Sequence, residues 1–259
     1  LSDPTMWGAL WRQLLAVRRV AGRRQRVRLH ALRAVSDGFV GALYKFWRRS
    51  TIVVTYAHGE DVMIVRSSRI MYWMAVVTYR MSDLVIANCN NTRDVVIDLC
   101  STARVSVIHP GVDASLFKRT PEDVQLFRQS LATTAGTFIV ATVARMEARK
   151  NQAGVIRAVA QLRAEGRPVI YICAGDGPEK ARLQALAREL GVADAVRFPG
   201  VVSDDVKSLI FAACDVHVMA SVDADGTFEG FGMVFIEAAA AGVPSIAGAT
   251  GGQREAVLD

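Results

Sequence analysis

Residues 137–175 read TFIVATVARMEARKNQAGVIRAVAQLRAEGRPVIYICAG, and the order of patterns within them decides the fold. TFIVATVA (137–144) is a β-branched, apolar run of strand length that ends in a charged loop. From Gln152 to Ala164 the apolar residues recur at helical spacing, and PVIYICAG (168–175) is a second apolar run. Strands that are apolar throughout, joined by a helix of this length, are parallel neighbours in a sheet covered on both faces. The alternation continues with helix 178–190, strand 195–200, helix 204–213, strand 215–221, strand 243–248 and a helix starting at Gln253. Upstream, TIVVTYA (51–57), DLVIANC (83–89) and RVSVIHPG (104–111) read as strands, with a helix at 92–99 for which Asn90 or Asn91 supplies a cap. Residues 7–20 and 39–48 read as helices, the first amphipathic. The PGVD turn at 110–113 breaks both periodicities, and a linker-like stretch runs on to Pro121. These patterns imply an α/β chain with two parallel-sheet domains, 1–112 and 113–259.

Half of the 259 residues are apolar and 22% are charged, which suits a folded globular chain and excludes disorder. Cys89, Cys100, Cys173 and Cys214 lie far apart, without CxxC or metal spacing. They read as buried reduced thiols of a cytosolic protein. The apolar run from Ile70 to Tyr79 is too short to cross a bilayer. Residues 1–50 carry eleven Lys and Arg against Asp3 and Asp37, so this fifth of the chain has a net charge of +9 and the rest −3. Such a block suits an anionic membrane surface, nucleic acid or a phosphorylated substrate, or it is a solvated helix face.

In open parallel sheets ligands bind beyond the carboxyl ends of strands, so the loops that follow strands are the candidates. RMEARKNQ, after the 137–144 strand, brings Arg145 and Lys150 to a helix start, where both can converge on an anion such as a diphosphate; the alternative is a pair of surface cations. GDGPE (175–179) permits close backbone approach, with Pro178 as a first helical residue. Lys180 stands where a third glycine would complete GxGxxG, which argues against hydride chemistry with NAD. SVDADGTFEGFG (221–232) is a long loop that delivers Glu229 and leads into a helix near Gly232 or Met233 carrying Glu237. A carboxylate repels phosphate and accepts hydrogen bonds from vicinal hydroxyls, so cations for phosphate and glutamates for sugar is the coherent assignment, against chance placement in an Ala-rich helix. Gly251 and Gly252 precede another helix start, where backbone can touch a ligand. His58 directly follows a strand and reads as functional, whereas His217 inside a strand reads as core.

In this order HGED (58–61), VIHPGVD (107–113), ARMEARKNQ (144–152), AGDGPE (174–179), VRFPGVV (196–202), EGFGMVFIEAAAAGVP (229–244) and GGQREAV (251–257) resemble the retaining glycosyltransferases of family 4 with the GT-B fold. Within that family the segment around Glu229 looks most like phosphatidylinositol-mannoside mannosyltransferases that use GDP-mannose. The resemblance implies two Rossmann-like domains, the first binding the acceptor and the second the nucleotide-sugar donor, GDP-mannose or a UDP-hexose. It implies that Arg145 and Lys150, with the backbone of Gly232, Met233 and Val234, hold the donor diphosphate. It implies that Glu229, Phe231 and Gly232 contact the transferred sugar, Glu237 the ribose, and Val201 and Val202 the base, with His58 near the reacting sugar. It further implies a lipid or glycan acceptor and no metal or other cofactor; the cysteines point to the cytoplasm, the basic block suits attachment to the cytoplasmic face of a membrane, and no nucleic-acid partner is expected. DAD (223–225) reads as loop. Relative to the family pattern both domains are expected to be incomplete, the chain being truncated at both ends, and the fragment is expected to be poorly stable or inactive alone. A related glycan phosphorylase is disfavoured because no lysine motif for pyridoxal phosphate occurs. A non-catalytic sugar-nucleotide-binding or scaffold protein of the same fold is the alternative.

Overall fold

The computed structural model describes residues 4–257 other than 23, 25, 60, 61, 63, 64, 66, 67, 132, 135 and 224–227. Arg23 of the basic block, the acids of HGED, and most of the DAD and GT residues before Phe228 therefore lie outside the described residues. The chain divides into two compact units, Leu1–Pro110 and Gly111–Asp259, and the divide falls inside the PGVD turn.

The first unit contains helix α1 (Pro4–Ala21), strand β1 (Val27–Ala31), a π-helical turn (Ala34–Gly38), helix α2 (Phe39–Trp47) and strand β2 (Thr51–Ala57). Helix α3 (Arg69–Met81), strand β3 (Leu84–Ala87), helix α4 (Asn90–Leu99) and strand β4 (Val105–Val107) complete it. All four strands are parallel in the order β1-β2-β3-β4. On one face Ala57, Val85, Ala75, Tyr79 and Val96 form a core. A second cluster joins Leu10 and Leu14 of α1 to Val40, Tyr44 and Met74. Two expectations are corrected here. The basic stretch after α1 contains a strand, β1, and the cap of α4 is Cys89, whose Sγ accepts a hydrogen bond from the Thr92 amide at 3.3 Å, with Asn90 and Asn91 already in the first turn.

The second unit begins with a 3₁₀ turn (Ala114–Phe117) inside the stretch expected to be linker, and helix α5 (Pro121–Ser130) starts where that stretch ends. Thr120 caps α5 by accepting from the Asp123 amide, Pro121 takes the first helical position, and Glu122 and Asp123 sit in the first turn, where carboxylates suit the helix dipole. There follow β5 (Phe138–Val143), a 3₁₀ turn (Ala148–Lys150), α6 (Gln152–Ala164), β6 (Val169–Ala174), α7 (Lys180–Glu189) and β7 (Val196–Gly200). The unit ends with α8 (Asp204–Ala213), β8 (Val216–Met219), α9 (Met233–Ala240), β9 (Ser245–Ala247) and α10 (Gln253–Ala256). Pro178, expected as a first helical residue, stands in the turn before α7.

The five strands are parallel in the order β7-β6-β5-β8-β9. Every residue of β6 is buried, as two covered faces require. Val169, Tyr171 and Cys173 pack on one side with α6 and α7, through Val155, Ile156, Val159, Leu183 and Ala187. Ile172 and Ala174 pack on the other with Ile139, Ala141, Ile210, Phe211 and Ala238. Because the connections leaving β5 run one way to β6 and β7, and the chain then returns to β8 on the other side of β5, the strand order reverses between β5 and β8. That is the topological switch point, where the loops diverge and leave a crevice.

Candidate functional site

The loops after β5 and β8 flank this switch point and carry the densest charge cluster of the second unit. After β5 comes Arg145–Asn151, in which Asn151 adopts a left-handed conformation (φ 54°) and turns the chain into α6. After β8 comes the long loop from Ala220 to Gly232, of which 224–227 are outside the described residues. The two loops meet at Glu229. Its Oε2 accepts from Lys150 Nζ and, at 3.2 Å, from Arg149 Nη1. Arg149 Nε also donates to Glu147 Oε2 at 3.0 Å, and Arg145 pairs with Glu147 Oε1 at 3.1 Å. The Arg149, Lys150 and Glu229 side chains are 14%, 10% and 13% exposed, against 75% for Arg145. Charges this sheltered interact more strongly than at a surface and require pairing.

Backbone contacts fix both loops. The Val222 amide donates to the Arg149 carbonyl at 2.8 Å, and the Gly252 amide to the Glu229 carbonyl at 3.0 Å. Gly251, with φ +59°, approaches the Glu229 carbonyl so closely that a Cβ there would lie 2.4 Å from its oxygen. These glycines, expected to admit a ligand, hold the loop that carries Glu229. Buried Gln253 adds hydrogen bonds from Nε2 to the carbonyls of Ser221 and Thr250. The glycines of AGDGP behave similarly. A Cβ on Gly175 would lie 2.0 Å from the Ala144 oxygen and one on Gly177 2.4 Å from the Met146 oxygen, while Met146 exchanges backbone bonds with Asp176 and Glu179. Their close approach is to the β5 loop, which they brace.

Helix α9 starts at Met233 behind Gly232 (φ +86°), as expected. Phe231 is buried, Met233 is exposed and Val234 is half-buried. Glu237, one turn into α9, accepts from Lys207 Nζ at 2.8 Å. Burial works against the charge of Lys207, but hydrogen bonds to Glu237 and Asp204 hold its pKa above the usual lysine value. Val201 is exposed and Val202 half-buried, at the end of β7. Of the expected pair Arg145 and Lys150, only Lys150 reaches Glu229, and Arg149, which was not singled out, reaches it too. The signal available for Arg149 was charge count: three cations and one glutamate within six residues.

His58 belongs to the first unit. It is exposed after β2, stacked 6.4 Å from Tyr56, with its carbonyl accepting from Asn88. It lines a cavity of about 580 Å³ with Arg33, Ser36, Leu10, Met71 and Met74. His217 is buried, as expected, between Phe211 and Phe235. All four cysteines are buried thiols, and burial pushes Cys173 up to about 11 and Cys214 up to about 12, so neither is a thiolate at neutral pH. Among the described residues there is no group of three or more His, Cys, Asp or Glu that could hold a metal ion, and no helix long and apolar enough to cross a membrane.

Two doubly covered parallel sheets with charged loops at a switch point are the architecture of nucleotide-handling α/β proteins of the GT-B class. The chain belongs to the family described as glycosyl transferases group 1, whose model matches residues 123–259, and the model for glycosyltransferase family 4 matches residues 2–116. It is 34% identical over 189 residues to a D-inositol 3-phosphate glycosyltransferase of Stackebrandtia nassauensis, covering 69% of this chain and 41% of that protein. It is 32% identical over 186 residues to the protein of that name from Mycobacteroides abscessus, covering 69% and 39%. The chain therefore spans less than half the length of these curated relatives. Among solved structures, Anabaena Alr3699/HepE in complex with UDP and glucose superposes with a TM-score of 0.78 at 28% identity, over 95% of this chain and 65% of that one. Sucrose-phosphate synthase from Thermosynechococcus elongatus, at 20% identity and a TM-score of 0.76 over 100% and 65%, shares the fold.

Proposed function

We propose that this chain belongs to a retaining glycosyltransferase that moves a hexose, mannose first, from a nucleotide-diphosphate sugar to an acceptor. The observation that carries the reading is the convergence of Lys150 and Arg149 on Glu229 at the switch point of the second sheet. Breaking the bond between the anomeric carbon and the diphosphate develops negative charge on the leaving group and an oxocarbenium-like sugar. Oriented cations and amides lower that barrier most. Lys150, Arg145 and the amides at the start of α9 receive the diphosphate, Glu229 the sugar hydroxyls and Glu237 the ribose, with Val201 and Val202 beside the base. Charge neutralisation by these groups calls for no resident cofactor. GDP-mannose and a UDP-hexose are the two donors to compare, and the UDP and glucose bound to the Anabaena relative support the second.

For the acceptor, a lipid or glycan remains the first reading, with residues 1–110 as the unit that receives it near His58. The names of the curated relatives support a second, a phosphorylated inositol. An anionic membrane surface suits the +9 charge of residues 1–50 and the exposed Trp7, Trp11 and Trp73. Co-sedimentation with anionic vesicles checks that part, and no binding at low salt would remove it.

Titration calorimetry with GDP, UDP, GDP-mannose and UDP-glucose tests the donor site. The protein is expected to bind one nucleotide series, and Lys150→Ala to weaken it by about tenfold or more, equivalent to roughly 1.4 kcal/mol. Equal affinity in the variant, or no nucleotide bound by the unsubstituted protein, would refute the assignment.

A further inference from the structure

We propose that Arg149 is a positioning residue that holds the Glu229 carboxylate in place when a donor draws Lys150 away. The inference rests on the donor-site reading above and gives Arg149, to which that reading assigns no ligand contact, a role of its own.

In the structure Glu229 is held by both Arg149 and Lys150, Glu147 is shared between Arg149 and Arg145, and Arg145 lies exposed at the edge. A diphosphate entering between the loops offers Lys150 a doubly charged partner, and Lys150 cannot serve phosphate and Glu229 fully at once. As Lys150 turns to the phosphate, Glu229 loses one of its two cationic partners while a second anion approaches. A sheltered carboxylate in that situation either swings away or resists donor binding by repulsion.

Arg149 removes this conflict. Its guanidinium is a rigid fork that already spans Glu147 through Nε and Glu229 through Nη1. Its backbone is fixed as well, since its carbonyl accepts the Val222 amide from the loop that carries Glu229. Arg149 therefore ties the loop after β5 to the loop after β8 by side chain and main chain together. Glu147 keeps the fork oriented without competing for the ligand. Lys150 has only a point charge on a flexible stem, and its departure leaves this second tether intact. The division of labour predicts that Arg149 acts on the sugar through Glu229, whereas Lys150 acts on the phosphates.

The test uses the full chain with Arg149→Gln, Arg149→Lys and Glu229→Gln, probed with GDP, UDP, GDP-mannose and UDP-glucose. Arg149→Gln is expected to leave nucleoside diphosphate affinity within about threefold, to abolish any preference for the sugar-bearing nucleotide, and to lower kcat by about 30-fold with little change in KM. Arg149→Lys should recover only part of kcat, because an ammonium cannot span both glutamates. A loss of nucleoside diphosphate affinity as large as that of Lys150→Ala would make Arg149 a phosphate ligand and overturn the proposal, as would an unchanged kcat. A thermal double-mutant cycle between Arg149→Gln and Glu229→Gln is independent of any donor. Non-additive shifts in Tm are expected, and additive ones would overturn the proposal. If the unsubstituted protein binds none of the four nucleotides, the donor reading fails by itself, and the cycle still decides whether Arg149 holds Glu229.

Discussion

His217 shows how a single side chain couples the sheet to the site. It lies in β8, fully buried, 5.4 Å from the rings of both Phe211 and Phe235, with Nδ1 3.2 Å from the Ser245 hydroxyl and, among the described residues, no hydrogen-bond partner for Nε2. Burial pushes its pKa down to about 3, so the native imidazole is neutral at every ordinary pH. The unfolded chain takes up a proton near pH 6.5 that the folded chain refuses until about pH 3. The folded pKa is thus the lower of the two. Stability from this group is complete above pH 6.5 and is lost as the pH falls toward 3, by roughly 1.4 kcal/mol per pH unit in that window. Replacing His217 by Leu is expected to flatten the acid side of the stability profile, read as urea midpoints at pH 4, 5 and 7. An identical slope in protein and variant would show that another group controls the acid transition. The same packing explains Gly232: a Cβ there would meet the Phe235 ring at 2.7 Å, so the left-handed entry to α9 and the core around His217 are one feature.

At the scale of elements, the loops beyond β5, β6 and β8 are built against one another. Gly177 sits against Met146, where an added Cβ would lie 2.4 Å from the carbonyl oxygen and 2.8 Å from the amide nitrogen. Backbone offers no flexible end to move aside, so Gly177→Ala is expected to cost about 1–3 kcal/mol and to displace the Arg145–Lys150 loop. The expected readouts are a lower Tm and weaker nucleotide binding. Retained Tm and binding together would mean that the two loops are not mechanically linked. The architecture here was legible because β5, α6 and β6 each show one clean periodicity. Strand β1 was not legible: Val27, Leu29 and Ala31 alternate with Arg28 and His30, and the arginines on either side made a strand resemble a basic tail. Helix α5 was missed for a different reason. Its start signal, Thr120-Pro121-Glu122-Asp123, sits at the end of a stretch whose Pro and Gly break both periodicities, although a capping Thr before Pro and two acids marks a helix start. In the site, position in loops after strands singles out Glu229 and Lys150, and the helix that follows singles out Glu237, but position could not show that Arg149 outranks Arg145 at Glu229. Arg145 is 75% exposed and Arg149 14%, a difference set by the path of the folded loop and not by the residue types, which are the same.

At the scale of the whole molecule, every residue assigned to the donor lies in 111–259, and His58 lies in the other unit. Each unit has its own sheet and its own buried clusters, so a substitution in one need not disturb ligand contacts made within the other. Binding and transfer then separate experimentally. Lys150→Ala removes a proposed donor contact and is expected to fail at both. His58→Ala is expected to leave nucleotide affinity within about twofold while lowering transfer by about tenfold or more, because an interaction made only in the transition state lowers kcat and kcat/KM together without weakening ground-state binding. Titration with GDP or UDP gives the first quantity, and release of nucleoside diphosphate from the sugar donor in the presence of acceptor gives the second. Lost nucleotide affinity in His58→Ala would assign the histidine to the donor pocket. Unchanged transfer would return it to the surface of the first unit, stacked on Tyr56 and without a part in the reaction.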